Sequence, residues 1–524
     1  MVTARDRCRA VGLLVLFSLF LCGPGPVRSQ AVGHEFIPPE HWCYPALARF
    51  EALGLCRLPS ERPYGRDDII HYTEEIAARV AERGTNLSAR DRFNLERLQK
   101  EFADPASQAN PKARFDRPLL FASDGPMHLE GDLDVALAPD KPPQREQWDF
   151  FGIAHPILRL HLGPSFTYDF RYQLVMGPER DGRERNQHVS SRERSWRGLT
   201  SLYERAYLVY YWKQGTVFFG RDYADWGPAE NRNVILSREA ESLDKLGGRI
   251  QFKNLRLSVI HAILSSPGDR YLTGHRLEGT FGRVTAGLSE TVIHRDRFLD
   301  PVYMLPFSSF YANQFNERSD DNVMWALDVK VRALDRLTVD GSLLIDDFQY
   351  ERGDSTPDML AVNVGVRGEI ARPVPLGLRL RYRYVDIYTY THRDSLNAHV
   401  TGSGDPNAGD PLLGVAEGPD TDLLTARADC YPLPRLTATA LFAYLRRGEG
   451  NDFRTFHPGD PYAPPFPSGV VERTTSFGLA LAWEFDGNSL ATGEFVRSRV
   501  ENADHVAGAD EWRNAVRFLL RWNL

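Results

Sequence analysis

Alternation of apolar and polar side chains, repeated in segments of about ten residues, is the feature that most constrains this chain. In the last segment, 512–524, one set of alternate positions is apolar and the other is mainly basic. The apolar set is Val516, Phe518, Leu520, Trp522 and Leu524, and the polar set is Arg513, Arg517, Arg521 and Asn523, with Leu519 as the exception. Successive side chains of a strand point to opposite faces. The pattern therefore predicts a strand with one lipid-facing wall and one wet, basic wall.

Earlier segments repeat this pattern. Phe166–Leu174 alternates aromatic residues with polar ones, 337–345 alternates Leu, Val and Ile with Thr, Asp and Ser, and 376–384 alternates Leu and Tyr with arginine. Counting such segments gives about eighteen strands, an even number that closes a single-chain antiparallel transmembrane barrel and leaves no unpaired edge. A soluble propeller or sandwich is the alternative, but it does not account for evenly sized strands with basic inner walls.

Connections between the predicted strands alternate in length. Short ones such as Lys253-Asn254 and Asp335-Arg336 are expected on the periplasmic side. The long polar connections, expected outside the cell, are 177–197, 298–321, 392–422 and 448–473.

The N-terminus has the form of a secretory signal peptide over residues 1–29. Three arginines precede an apolar run at 12–22, and Val27 and Ser29 supply small residues for cleavage before Gln30. A lipoprotein site at Cys22 is disfavoured because Leu21 before it is bulky. The chain has no second run long enough for a membrane helix. The N-terminal segment therefore predicts that the protein is exported.

Residues 30–110 have helical periodicity and predict a small periplasmic module. Helices are expected from Cys43 to Leu55 with a stop at Gly54, from Asp67 to Gly84, and after a Ser88 cap until Pro105. The barrel is assigned to residues 120–524. Within the module, Cys43 and Cys56 either form a disulfide in an oxidising periplasm or remain two buried thiols.

Several function classes find little support in the residues. A net charge of −7 disfavours nucleic-acid binding. His275 and His294 lie in no serine-nucleophile pattern, and the acidic pairs Asp320-Asp321 and Asp346-Asp347 are weak grounds for a barrel protease. No spacing predicts a metal site, a nucleotide loop or a cofactor. The expectation is a non-enzymatic protein.

Two arginine ladders are expected to face the lumen, namely Arg379, Arg381 and Arg383, and Arg513, Arg517 and Arg521. Guanidinium groups bind carboxylates and phosphates through two hydrogen bonds, so such walls favour acidic sugars or anions. The alternative is that lumen charges of both signs pair with one another and hold the interior rigid.

The segment Gly220–Pro228 (Gly-Arg-Asp-Tyr-Ala-Asp-Trp-Gly-Pro), followed by Val234–Ser237, resembles the capsule assembly protein family typified by Wzi. The resemblance extends through Tyr271–Leu277 and Leu344–Asp347 and into the early helices, and it covers most of the chain. The stretch Glu230-Asn231-Arg232 departs from the family pattern.

The resemblance implies an outer-membrane barrel with a periplasmic helical bundle and a lectin-like role in retaining capsular polysaccharide or exopolysaccharide. The partners it implies are outer-membrane lipids, surface polysaccharide and polysaccharide export machinery. The candidate sugar-binding residues are Arg221, Asp222, Tyr223, Trp226 and Arg276. For Trp226 the alternative is a structural wedge inside the barrel. The second functional candidate is a diffusion porin with a basic lumen.

Overall fold

The computed structural model describes most of the chain after the N-terminal segment. The described residues are 34–104, 110–142, 147–177, 199–230, 232–265, 269–347, 357–371, 373–404, 410–485 and 489–524. The predicted signal peptide at 1–29 and nearly all of the predicted 177–197 connection lie outside them, as does Asn231.

Eighteen antiparallel strands form a closed barrel, as predicted. Each strand pairs with its neighbours in chain order, and the last strand pairs with the first at Val516–Lys141 and Trp522–Val135. The barrel strands are β3 (Met127–Lys141), β4 (Asp149–Leu162), β5 (Phe166–Met176), β6 (Leu199–Trp212), β7 (Gly215–Asp222), β9 (Leu243–Phe252), β10 (Leu255–Ser265), β11 (Arg270–Phe281), β12 (Val284–Arg295), β13 (Asn322–Leu334), β14 (Leu337–Asp347), β15 (Met359–Ile370), β16 (Leu376–Val385), β17 (Thr421–Leu433), β18 (Leu436–Arg447), β19 (Glu472–Glu484), β20 (Leu490–Glu501) and β21 (Glu511–Asn523).

Three short pieces of strand lie beside this set. β2 (Leu120–Asp124) forms a hairpin with the start of β3. β1 (Glu61–Arg62) and β8 (Asp225–Trp226) pair with each other.

The alternation in the sequence defines the two walls of the barrel. In β16, Leu378 and Leu380 are exposed on the outer wall, whereas Arg383 is buried in the lumen. In β21, Phe518 and Trp522 are exposed in the same way. Leu519, the exception to the alternation, faces inward and packs against an apolar lumen cluster formed by Ala136, Ala138, Phe151, Ile153 and Val175. The exception therefore has a packing reason.

Three helices precede the barrel, as the spacing predicts. They are α1 (Cys43–Ala52), α2 (Arg66–Arg83) and α3 (Ala89–Leu98). Gly84 ends α2 in the left-handed conformation at φ 55°, and the Ser88 side chain accepts a hydrogen bond from the Asp91 amide at the start of α3. No helix among the described residues is long and apolar enough to cross a membrane.

The helical module closes the end of the barrel that carries the short turns, here called the short-turn end. Arg49 forms ion pairs with Asp91 of its own module and with Glu369 of β15. Arg90 and Arg97 of α3 both bind Glu484 at the end of β19. These ion pairs, of which those of Arg49 are fully buried, fix the module on the barrel rather than leaving it as a projecting domain. The boundaries predicted for the separate domains remain a prediction.

Cys43 and Cys56 are free, buried thiols, so the possible disulfide is absent. Cys43 opens α1, whereas the Cys56 thiol approaches the carbonyl oxygen of Leu47 at 3.8 Å, one helical turn further along α1. Burial raises the pKa of both thiols well above its usual range, which keeps them protonated.

Candidate functional site

Two segments from the opposite end, the long-loop end, turn back into the barrel. The first lumen segment, 223–242, connects β7 to β9 and contains β8. β8 pairs with β1 of the helical module, with Trp226 opposite Glu61 and Asp225 opposite Arg62. The Arg62 guanidinium donates to the carbonyl oxygens of Gly227 (3.3 Å) and Ala229 (2.9 Å). The segment thus meets the helical module inside the barrel.

Trp226 is the centre of this contact and is 2% exposed. Its amide donates to the carbonyl oxygen of Leu236 at 3.0 Å. Its ring lies on the inner wall over Gly274 of β11, where an added Cβ would stand 3.1 Å from two ring carbons. The next residue, Gly227, has φ 141°, and a Cβ there would lie 2.4 Å from the Asn233 Oδ1. Packing therefore constrains both residues, because the Trp226 ring needs the space above Gly274 and position 227 has no space for a side chain beside Asn233.

The second lumen segment, 386–420, connects β16 to β17 and lies against the first. The Tyr390 hydroxyl donates to the carbonyl oxygen of Val234 at 2.5 Å, and the Ser237 amide donates to that of Leu413 at 2.7 Å. His399 is buried and lies 2.7 Å from the Ile235 carbonyl oxygen, and burial lowers its pKa to about 4. The imidazole is therefore neutral near pH 7.

These two segments share one apolar cluster with the inner wall. The cluster joins Trp226, Ile235 and Leu413 to inward side chains of β6, β7 and β10–β16, including Tyr207, Leu272, Met324 and Val385. The cluster occupies the side of the lumen bounded by β6–β16, whereas the inward side chains of Arg427 on β17 and Arg517 on β21 are 46% and 41% exposed.

The ladder on β16 is neutralised inside the barrel. Arg379 binds Asp429 of β17 (2.7 Å) and Glu230 of the first lumen segment. Arg381 binds both carboxylate oxygens of Asp340 at 2.8 and 2.9 Å. Arg383 lies 3.2 Å from Glu417 of the second lumen segment, which also contacts Arg232.

The stretch that departs from the family pattern thus joins this network, because Glu230 supplies a counter-charge to Arg379 and Arg232 shares Glu417 with Arg383. Desolvation raises the pKa of Glu230, but the Arg379 and Arg367 guanidinium groups outweigh it and lower the pKa to about 2. Sequence reasoning missed this role of Glu230 and Arg232. The available signal was an acidic residue in a loop that follows Trp-Gly-Pro in a barrel with basic inner walls.

The ladder on β21 is also paired. Arg513 binds Glu511 of its own strand, and Arg517 lies 3.3 Å from Glu494 of β20 and 3.8 Å from Asp140 of β3. Arg521 also interacts with neighbouring groups. All three arginines of the β16 ladder, and Arg513 and Arg517 of the β21 ladder, therefore have carboxylate partners within the barrel.

The other residues predicted to bind sugar are not brought together. Arg221 lies on the outer wall and holds Asp244 of β9 through two hydrogen bonds of 2.7 and 2.8 Å. Asp222 is buried in the lumen and accepts from Arg205 at 2.7 Å. Tyr223 donates to Glu204 at 3.1 Å. The structure thus places Arg221 away from Trp226, with a strand wall between them.

Arg276 is 1% exposed on the inner wall of β11. It donates to both oxygens of Asp328 (2.6 and 3.0 Å), to Glu278 (2.8 Å) and to Ser289 (2.9 Å). Four of its five N–H bonds are thereby satisfied within the barrel, so its geometry is that of a structural cross-link.

At the long-loop end, the connection 448–471 covers the second lumen segment. Its base is organised by Asp420, whose carboxylate accepts from the Gly450 and Ser468 amides at 2.9 and 3.0 Å. Phe466 lies against Tyr384, with ring centroids 4.4 Å apart. The upper surface of this connection, here called the rim patch, exposes Arg454, His457 and Tyr462.

The groups considered for catalysis are engaged elsewhere. The His275 Nε2 lies 3.1 Å from Glu290, and the His294 Nε2 lies 3.1 Å from the Thr273 hydroxyl. Asp346 accepts a hydrogen bond from the Tyr390 amide at 2.6 Å. Among the described residues, no group of three or more His, Cys, Asp or Glu side chains could hold a metal ion.

Fold and site together define a class: a closed eighteen-stranded barrel of the outer-membrane type, with N-terminal helices across one end and two loop segments packed inside the lumen. The chain is similar to the solved structure of Wzi, described as an outer membrane protein involved in group 1 capsule assembly in Escherichia coli and a carbohydrate-binding β-barrel. The TM-score is 0.61 at 11% identity, over 94% of this chain and 99% of that one. The resemblance predicted from short motifs is thus confirmed at the level of the fold.

Pseudomonas aeruginosa OprD also matches, with a TM-score of 0.45 at 10% identity, over 78% of this chain and 97% of that one. No protein-family model matches the chain, and no curated protein matches it in sequence.

Proposed function

We propose that this protein is a non-catalytic outer-membrane protein that binds and retains capsular polysaccharide or exopolysaccharide at the cell surface. In this proposal the signal peptide exports the chain, the short-turn end with its helical module faces the periplasm, and the long-loop end faces outward. The observation that carries it is the pair of packed loop segments inside a barrel that shares the Wzi fold over nearly its whole length. These segments narrow the path for solutes, which favours a role in presenting a surface.

The internal pairing of the arginine ladders moves the expected sugar contacts to the rim. Arg379, Arg381 and Arg383 already hold carboxylates, so their forks are occupied by the protein itself. The rim patch offers an exposed tyrosine ring that can stack on a sugar face and an exposed guanidinium that can bind a hydroxyl or a uronic acid carboxylate. This assignment replaces Trp226 and Arg276 by Tyr462 and Arg454 as the proposed contacts.

Binding of purified protein to a bacterial glycan array tests the proposal. The double variant Tyr462→Ala with Arg454→Ala is expected to lose at least tenfold in affinity, which corresponds to about 1.4 kcal/mol. A matched control is Tyr444→Ala with Arg447→Ala on β18, which lies outside the rim patch. Absence of binding to any acidic or neutral surface polysaccharide would contradict the proposed function, and equal loss in both variants would contradict the rim assignment.

The porin alternative makes a distinct demand on the same protein. A diffusion porin requires a large, steady conductance in planar bilayers. The two lumen segments and their apolar cluster narrow the lumen and favour the opposite result, namely little conductance at neutral pH. A steady open channel would therefore favour the porin over the polysaccharide-binding protein.

A further inference from the structure

The outer wall between β10 and β13 carries polar groups where a membrane barrel is expected to be apolar. Five polar residues lie on the outward face of their strands, which is the face that also carries the exposed residues Leu255, Leu277 and Leu288. They are His261, Thr273, His275, Glu290 and His294. Glu290 lies five residues from Arg295, the last residue of β12. At about 3.3 Å per residue and a tilt of about 40°, this is roughly 12 Å below the rim. Uncovered, these groups would face hydrocarbon.

A cover lies over this polar patch. It consists of residues 296–321, the connection between β12 and β13, and includes α4 (Phe310–Glu317). Phe298 packs edge-on against His261 (ring centroids 5.7 Å apart), Tyr303 lies against His294 (5.2 Å), and Phe310 lies against His275 (4.4 Å). Each of the three histidines is therefore in contact with one aromatic ring of the cover.

Glu290 ties the cover to the wall. Its carboxylate accepts from the indole N–H of Trp325 on β13 (2.7 Å) and from the Tyr311 amide at the start of α4 (3.1 Å). A carboxylate at a helix N-terminus satisfies unpaired N–H groups and interacts favourably with the helix dipole. Ser309 caps the same helix through the Ala312 amide. The cover is thus a built element of the outer wall.

The cover exposes several large apolar side chains. Phe307 is 78% exposed, Phe315 64% and Leu305 57%, and Tyr311 packs on both Phe315 and Trp325. Tyr311 and Phe315 are four residues apart and share one face of α4. This face continues the exposed apolar band formed by Trp325, Leu327 and Leu288. A lone exposed phenylalanine needs no explanation, but a contiguous patch next to a lipid-facing band does.

We propose that the cover is a membrane-embedded seal, which inserts Leu305, Phe307 and Phe315 into the outer leaflet and shields the polar patch from lipid. The occupant of this apolar face is the acyl-chain region of the bilayer. The inference rests on the outer-membrane placement in the proposed function, and not on polysaccharide binding.

Spin labels in reconstituted protein test the proposal. Phe307→Cys and Phe315→Cys, each in a Cys430→Ala background, are labelled in phosphatidylethanolamine–phosphatidylglycerol vesicles, and collisions with oxygen and with a water-soluble nickel complex are compared. Leu327→Cys is the lipid-facing reference, and His457→Cys, on the exposed rim patch, is the aqueous reference. Heat-dependent gel mobility verifies that each labelled barrel is folded.

The expected result is an oxygen-to-nickel collision ratio at 307 and 315 close to that at 327 and at least threefold above that at 457. A ratio close to that at 457 would overturn the seal. Dipolar broadening at 315 that grows as the lipid-to-protein ratio falls would assign this face to a second copy of the chain and would also overturn it. A nickel-accessible label at 327 would instead overturn the membrane placement itself, so the two failures are distinguishable.

Discussion

Replacement of Trp226 by alanine separates a structural role for this residue from a ligand-binding one. The ring is 2% exposed, lies over Gly274 and belongs to the apolar cluster inside the barrel. Its backbone joins β8 to β1 of the helical module. The change therefore removes the largest side chain from the junction of the module, the first lumen segment and the inner wall.

The magnitude follows from the burial. A tryptophan buries about 150–250 Å², which at about 25 cal/mol per Å² corresponds to about 4–6 kcal/mol. Alanine retains the Cβ, and tryptophan-to-alanine changes in well-packed cores cost about 3–5 kcal/mol. We expect the free energy of unfolding to fall by that amount. We also expect the helical module to become easier to cleave by protease.

Urea unfolding of the barrel in lipid vesicles, followed by gel mobility, measures this loss. Trp512→Ala is the matched control, because Trp512 is 57% exposed on the outer wall and its truncation leaves no internal cavity. A second check is Gly274→Ala, whose Cβ would press on the Trp226 ring in the wild-type chain. We expect this change to be less costly once Trp226 is alanine.

An unchanged unfolding curve for Trp226→Ala, together with lost polysaccharide binding, would refute the structural role. It would mean that the ring is available to a ligand and that the lumen opens in solution. Equal stability losses for Trp226→Ala and Trp512→Ala would refute the magnitude, because burial would then not determine the cost.

Three further predictions concern charges. The pKa of Glu230 lies below its unfolded value of about 4.3, so its contribution to stability is present above that pH and is lost as the pH falls toward 2. Unfolding measured over a pH series should show this loss of stability. The variant Glu230→Gln should lack this pH dependence. Arg276→Met leaves Asp328 as a buried, unpaired carboxylate and should cost about 3–5 kcal/mol in the same unfolding assay, whereas a loss below about 1 kcal/mol would indicate that water reaches the site. Glu290→Leu removes the carboxylate at the start of α4 and should increase protease cleavage within 296–321, and unchanged cleavage would show that the aromatic contacts suffice.

Local patterns were sufficient to predict most of the secondary structure. The alternation at 376–384 assigned Leu378 and Leu380 to the outer wall and Arg381 to the lumen, because a pleated strand leaves no other choice. Ser88 and Gly84 marked the ends of helices because cap chemistry is local.

The candidate site was less accessible to sequence reasoning. Arg221 and Asp222 are adjacent in sequence, yet they face opposite sides of the wall, so one motif serves two surfaces. The partner of Arg379 in the first lumen segment is 149 residues away in sequence. No local pattern predicts such a pairing, because the same sequence pattern is compatible with a loop that carries Glu230 outside the barrel.

The sequence by itself determined that the chain forms a barrel of about eighteen strands with helices before it, since strand period, turn length and helix caps act over a few residues. The tertiary structure decided what fills that barrel and what covers it. Whether an arginine in the lumen is available to a ligand depends on a carboxylate brought in from a distant loop, and whether Glu290 faces lipid depends on a helix folded back over the outer wall. Both outcomes depend on contacts between segments that are far apart in the sequence, and local propensity does not determine such contacts.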